Sequence, residues 1–296
     1  MLRLRRRTVP LPLRGRNGYG WRMTALPLNE ILLLLAALTA AGLFGGLIAG
    51  LFGVGGGTVI VPAVFYAFEV LGVGGESNLH VAIGTSLLTI VATSWRSLRA
   101  HRAHGAVDET VLKTWTPWVG AGAVAGAAVA GATSMEGLAL VYGVCLAAVA
   151  AQMGLMREGW APWRSLPTGW GRRGLGTAIG GLSAMMGIGG GSFGGMLLTL
   201  CGRPIHQAVA TASGFGVAIG TAATLGFVVF GWEAAGRPPL SLGYVNVPGA
   251  VVMAVLTTAV APWGAKLAHR LDRRVLRRAF AVYLLITAAL VVVKAL

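Results

Sequence analysis

Charge is scarce in this sequence. Of 296 residues only 11% are charged, against about 25% in an ordinary soluble domain. Nine are acidic, none of them in the middle of a clear apolar stretch, and Glu69 lies near the end of one. That speaks against a cation carrier, which normally keeps a carboxylate inside the membrane, and against proton coupling through Asp or Glu. Cysteine is nearly absent. Cys145 and Cys201 sit apart in apolar runs, with no CxxC pair and no Cys/His cluster, a pattern that argues against disulfide and zinc roles. No metal site and no cofactor are expected. The ten-residue alternation of an outer-membrane barrel is missing as well.

What the chain has instead is apolar surface and glycine: 55% hydrophobic residues, 46 glycines and a mean hydropathy of +0.74. Hydrophobic windows fill most of the length after residue 30, the composition of an all-α polytopic membrane protein. The net charge of +15 does not imply nucleic acid as a partner. The basic residues lie in loops and at the N-terminus, where no folded domain carries a recognition surface; they read as positive-inside signals. Residues 1–30 form a basic extension expected to be disordered. Its first 22 residues hold seven arginines, two prolines and three glycines. Met23 opens MTALPLNEILLLL, which reads like a natural start and makes residues 1–22 a non-essential or over-called extension. The arm lacks the small-x-small cleavage site of a signal peptide.

Ten apolar segments follow, at 31–52, 57–71, 79–96, 114–133, 138–156, 174–188, 191–201, 206–231, 244–264 and 279–296. Two triple glycines interrupt them. Gly55-Gly56-Gly57-Thr58 stands in LFGVGGGTVIVP, and Gly189-Gly190-Gly191-Ser192 in MMGIGGGSFGGM. Each glycine costs a helix about 1 kcal/mol relative to alanine. As helices, 174–188 and 191–201 reach about 22 Å and 16 Å, short of a hydrocarbon core of about 30 Å. Each break with its flanks therefore reads as a broken re-entrant hairpin, tolerated only where protein or a water-filled cavity surrounds it.

The breaks belong to an internal repeat. His80-Val81-Ala82-Ile83-Gly84-Thr85 aligns without gaps on His206-Gln207-Ala208-Val209-Ala210-Thr211. Gly105-Ala106-Val107-Asp108 aligns on Gly243-Tyr244-Val245-Asn246, and Gly126 on Gly264. Residues 31–156 form repeat 1, 157–173 a cytoplasmic linker and 174–296 repeat 2. The basic clusters, Arg96 to Lys113, Arg157 to Arg173 and Lys266 to Arg278, fall on one side if each hairpin dips in and returns. Each half is then one hairpin plus three spans, an odd count that inverts the second half. Both ends face outward on this reading, against which the arginines of residues 1–22 argue unless translation starts at Met23.

The doubled GxGGG[ST] motif, the HxA segments that follow it and the Gly-x-Val-Asp/Asn loops resemble the sulfite exporter TauE/SafE family, also called toluene sulfonate uptake permeases. The resemblance covers roughly residues 30–296. It implies secondary transport, usually export, of a small sulfur-containing anion such as sulfite, a sulfonate, sulfoacetate or thiosulfate, in a bacterial cell inner membrane. One departure is that the second copy reads GGGSFGGM where the first reads GGGTVIVP, so the apolar-Pro ending is missing.

The residues themselves suit an anion. Helix N-termini carry free amides and roughly half a positive charge. Two such ends, from Thr58 and Ser192 onward, can clamp an anionic head group, with both hydroxyls donating and glycines letting it approach the backbone. The plainer reading is that Thr58 and Ser192 cap their own helices, and close helix packing accounts better for Gly42, Gly46 and Gly50. Thr85, Ser86, Thr211 and Ser213 lie one to two turns beyond the matched histidines, as path-lining hydroxyls or as residues bonded to their own helix. His80 and His206 are the matched titratable pair, either for proton or anion coupling or as interfacial caps, the reading the sequence favours. Asn78, Gln207 and Arg203 are weaker candidates.

Gly190-Gly191-Ser192-Phe193-Gly194 also matches G-x-S-x-G, with His206 as a base, but that nucleophile needs a strand–turn–helix setting that is not evident. The G-x-G-x-x-G match of Gly189, Gly191 and Gly194 lacks its strand and later acid. No enzyme is expected. The tryptophans and tyrosines near segment ends read as an interface belt. The expectation is a multi-pass inner-membrane carrier, with a second copy of itself as a candidate partner in a homo-oligomer, whose site lies between inverted repeats. A carrier of another small organic or inorganic anion, and a non-transporting membrane scaffold, are the alternatives.

Overall fold

The structure, a computed structural model, describes residues 28–52, 56–70, 72, 75–155, 162, 163, 165–238, 240–268 and 273–295. The basic arm of residues 1–22, Met23, Gly55 and part of the linker lie outside these. The described chain is almost all helix: α1 Leu28–Phe52, α2 Gly57–Val70, α3 Asn78–Ala103, α4 Glu109–Ala132, α5 Met135–Leu155, α6 Gly169–Met186, α7 Phe193–Leu200, α8 Ile205–Phe230, α9 Val247–Ala268 and α10 Arg273–Ala295. A one-turn 3-10 helix, Gly75–Ser77, precedes α3, and a hairpin of β1 Ser241–Leu242 and β2 Val245–Asn246 precedes α9. The ninth apolar segment, 244–264, takes in β2, so its first residues are turn and strand rather than helix.

Local chemistry sets the ends. Asp108 caps α4, its Oδ1 accepting from the Val111 amide at 3.0 Å. Asn246 does the same for α9, accepting from Gly249 at 2.9 Å. Gly187 stops α6 in the left-handed region at φ 63°, which a Cβ disfavours. Helix α6 has 18 residues, about 27 Å, and begins earlier than its apolar run. Its first turn is held by the Arg173 guanidinium, 5.0 Å from the Trp118 ring and 4.7 Å from that of Trp170. Helix α7, with eight residues, reaches only about 12 Å.

Apolar side chains lie on both sides of the bundle wall. Phe65, Phe68, Phe215 and Phe227 are fully buried, while Val144, Leu225, Val255 and Val293 are exposed, as expected of helices that meet lipid outside and protein inside. Five described helical stretches are long and apolar enough to cross a membrane: Gly75–Ala103, Met135–Gly154, Ile205–Phe230, Val247–Gly264 and Arg277–Ala295.

Packing exchanges partners between the halves. Helix α1 packs on α9, and α6 on α4; α3 packs on α8, and α5 on α10. With α1–α5 matched to α6–α10, the first helix of each half thus rests on the fourth of the other. Helices α3 and α8 run antiparallel. Ser77, before α3, donates to the Ala235 carbonyl beyond α8 at 2.7 Å. Asp108, beyond α3, bonds to Thr211 near the start of α8. The end that holds Asp108 also holds Arg203, Arg102 and Glu109. The other end holds the Lys294–Glu69 pair, 3.0 Å apart.

Lipid tails are as apolar as leucine, so helices in a bilayer associate through close contact and polar bonds rather than water exclusion. Small residues make the contact here. A methyl group on Gly46 in α1 would lie 2.8 Å from Thr257 Cα in α9, and one on Gly126 in α4 would meet the Gly181 carbonyl of α6, with Gly181 Cα at 2.7 Å. Gly126→Leu should therefore lower stability by about 1–3 kcal/mol or more through overpacking. Gly120→Ala, which meets nothing within 4 Å, should raise it by about 0.5–1 kcal/mol. Thermal unfolding of both variants in detergent checks the pair.

Candidate functional site

The two glycine breaks meet. Helix α2 starts from Gly56, at φ 48°, whose carbonyl accepts from the Val59 and Ile60 amides at 3.0 and 2.8 Å. Helix α7 starts from the aligned Gly190, whose carbonyl accepts from Gly194 and Gly195 at 2.8 and 3.3 Å. A Cβ on Gly57 would run into the Gly187 carbonyl and lie 2.9 Å from Ile188 Cα. One corner therefore rests on the other, backbone to backbone. Gly190 is pressed as closely onto α8: its added Cβ would stand 2.5 Å from Phe215 Cβ and 2.7 Å from the Gly216 nitrogen.

Helix α3 closes the opposite side. The Ser86 hydroxyl, fully buried, donates to the Gly187 carbonyl at 2.8 Å. Ile90 and Ser94, one and two turns on, border Gly189, with Ser94 Oγ 3.8 Å from where its Cβ would be. Thr58 is buried. Ser192 is half-buried, does not cap its helix, and its Oγ is shielded without a hydrogen-bond partner among the described residues. Ser183, in the last turn of α6, is fully buried with its hydroxyl likewise unpartnered. The named corner residues, Gly56, Gly57, Thr58 and Gly187 to Ser192, and the side chains against them are all uncharged.

Sequence reasoning missed Ile90, Ser94, Phe215 and Gly216. The repeat alignment held the signal for three positions: Ser86, Ile90 and Ser94 correspond to Ala212, Gly216 and Gly220, one helical face in each half.

The other candidates are distributed differently. Thr85 and Thr211 are buried with their hydroxyls accepting from the Asn246 amide at 3.0 Å and the Asp108 amide at 2.9 Å. Ser213 donates to the Ala210 carbonyl of its own helix at 2.6 Å. His80 is buried against Tyr244, ring centroids 4.8 Å apart. Its Nε2 lies 3.0 Å from both the Ala130 and Thr133 carbonyls, at the end of α4. His206 is exposed. Asn78 is buried, with Nδ2 donating to the Phe65 carbonyl at 3.2 Å and to Glu69 at 3.3 Å. Gln207 is half-buried. Arg203 pairs with Asp108 at 3.1 Å. The segment before Ser192 is helix and turn, not the strand that a nucleophile elbow requires.

His80 donates at the end of α4, where the Ala130 carbonyl also takes the Thr133 amide and the Thr133 carbonyl lies past the helix. His80→Leu should therefore cost about 1–3 kcal/mol, the penalty for buried polar groups left unpaired, and thermal unfolding in detergent measures it.

One family model matches most of the chain, and two relatives are probable membrane transporters. Residues 38–291 match the sulfite exporter TauE/SafE family. A probable membrane transporter protein of Haemophilus influenzae is 29% identical over 253 residues, covering 83% of this chain and 94% of its own. A probable membrane transporter protein of Methanocaldococcus jannaschii is 26% identical over 271 residues, covering 84% and 91%. No solved structure gives a significant match. With this match over most of its length, a polytopic helical bundle and lipid-facing apolar walls, the chain belongs to the sulfite exporter TauE/SafE family of membrane transporters.

Proposed function

We propose that this transporter is a secondary carrier, working as an exporter, for a small sulfur-containing anion such as sulfite, a sulfonate, sulfoacetate or thiosulfate. The observation that carries the reading is the meeting of the two glycine corners in an uncharged setting between α3 and α8. Substrate oxygens would be held by the amide ends of α2 and α7, at Gly55, Gly56, Gly57 and Thr58 and at Gly189, Gly190, Gly191 and Ser192. Amides and hydroxyls supply donors to an oxyanion without a fixed counter-ion. The unpartnered Ser192 hydroxyl supports this. The sulfur-containing substrate is favoured by the name of the family.

The halves act as inverted repeats in this proposal, and rocking of one against the other would expose the site to each side in turn. The exchanged packing of first and fourth helices and the antiparallel α3 and α8 support it. The end with Arg102 and Arg203 would face the cytoplasm of a bacterial inner membrane, by the positive-inside rule.

Reconstitution into liposomes tests the reading. Purified protein should move labelled sulfite or a labelled sulfonate. Gly56→Leu and Gly190→Leu, checked for folding by monodispersity, should lower that flux by about tenfold or more, the effect of losing roughly 1.4 kcal/mol at the site. Unchanged flux in folded variants rejects the site, and flux of carboxylates in place of sulfur anions rejects the substrate class.

A further inference from the structure

Two hydrogen bonds repeat across the halves with their roles exchanged. The Thr85 hydroxyl of α3 accepts from the Asn246 amide at 3.0 Å, and the Thr211 hydroxyl of α8 accepts from the Asp108 amide at 2.9 Å. Thr85 aligns on Thr211, and Asp108 on Asn246. Each bond joins a central helix of one half to the residue that opens the fourth helix of the other. Each threonine is buried, and each partner side chain caps its own helix, Val111 to Asp108 and Gly249 to Asn246. A capping residue has a fixed backbone, so its amide is a rigid point for the threonine to hold.

We propose that Thr85 and Thr211 are positioning residues of the transport cycle: two reciprocal clasps that keep the halves in register, rather than ligands of the transported anion. The proposal rests on the carrier reading above. The accepting hydroxyls carry it, each held by a backbone amide of the other half. Besides accepting from Asn246, Thr85 has its carbonyl engaged by Thr89 Oγ1 at 3.0 Å, and that same Oγ1 lies 3.3 Å from the Ala250 carbonyl of α9. The clasps differ in one respect. Asn246 is neutral and donates from Nδ2 to Ser241 at 3.1 Å. Asp108 is anionic and pairs through Oδ2 with Arg203 at 3.1 Å. Arg203 follows α7 directly, and its amide bonds to the Leu198 carbonyl within that helix at 3.0 Å. The second clasp thereby reaches the half-helix that leaves the glycine corner, and movement of α7 is transmitted to the junction of α4 and α8.

The test separates binding from turnover. Thr85→Val and Thr211→Val remove the acceptor at nearly constant volume; Thr→Ser at each site retains it. In proteoliposomes the valine variants should turn over sulfite about tenfold more slowly, with KM and the Kd for sulfite in detergent within about twofold of wild type, and serine should restore the rate. Arg203→Gln should slow turnover in the same way, and its effect should vanish in the Thr211→Val background, because both act through one clasp. Valine variants that lose affinity in step with rate overturn the proposal, as do additive effects of Arg203→Gln and Thr211→Val. Should a valine variant not fold, Thr→Cys at that site takes its place, with a rate between those of serine and wild type on one side and an inactive protein on the other; wild-type turnover in the cysteine variant overturns the clasp. If wild-type protein moves no sulfur anion at all, the substrate reading has failed. The clasps are then judged by amide hydrogen exchange at Asp108 and Asn246, which speeds up in Val or Cys variants and returns with Ser; exchange unchanged in those variants overturns them too.

Discussion

A polar backbone group inside a bilayer has no water to turn to, and this fold is shaped by how it interrupts helices under that rule. Gly187 ends α6 in a left-handed turn, and the buried Ser86 hydroxyl of another helix serves its carbonyl. Gly56 and Gly190 each open a helix with one carbonyl shared by two amides. The corners then lean on each other, Gly57 against Gly187, at a separation that leaves no room for a side chain. Glycine is needed twice over, for the turn and for the contact.

That contact goes together with an exchange of partners between the halves. An interrupted helix pair is a poor unit by itself, because the helix after each break, α2 with 14 residues and α7 with eight, is short. Here α1 is carried by α9 and α6 by α4, so the helix before each break packs on the other half of the chain. Threonine hydroxyls tie the same fourth helices to the central ones, Thr85 of α3 to Asn246 and Thr211 of α8 to Asp108. Small residues bring the helices close, and bonds such as Thr89 to Ala250 and Arg277 to Met153 join elements far apart in sequence. In a medium without a hydrophobic drive between helices, such contacts are what hold a bundle.

Helix positions were legible in the sequence because apolar runs here end at charge, glycine or proline. The exceptions have physical causes. Helix α3 runs on to Ala103, past its apolar part, where Arg102 pairs with Glu109 at 2.7 Å. Helix α6 starts among Gly, Trp and Arg residues that read as linker but stack on Trp118. The glycine corners were legible as breaks, and their mutual contact was not, since Gly57 and Gly187 meet only through the tertiary fold. Alignment also paired His80 with His206, yet one is buried at the end of α4 and the other exposed. Equal positions in a repeat share a backbone role and diverge in side-chain role. Thr85 and Thr211 have kept both, although their partners lie more than a hundred residues away.

Among the described residues, those named at the corners and the side chains against them are uncharged, which bears on how the proposed carrier would work. A lysine or arginine there would hold an anion by a strong pairing in low dielectric and resist its release. At the proposed site, amide dipoles and hydroxyls would offer less, and would offer it from both halves. A ligand with equal affinity for two conformations shifts neither, so a site made of equivalent positions would leave a loaded carrier free to move either way. The positions here are not all equivalent. Ser86 corresponds to Ala212, which has no hydroxyl to donate, and Ile90 corresponds to Gly216. The clasps differ likewise, one closed by Arg203 and Asp108, the other by Ser241 and Asn246. In a carrier of this design any preference between the two states has to come from such differences, because all that the halves share contributes alike to both.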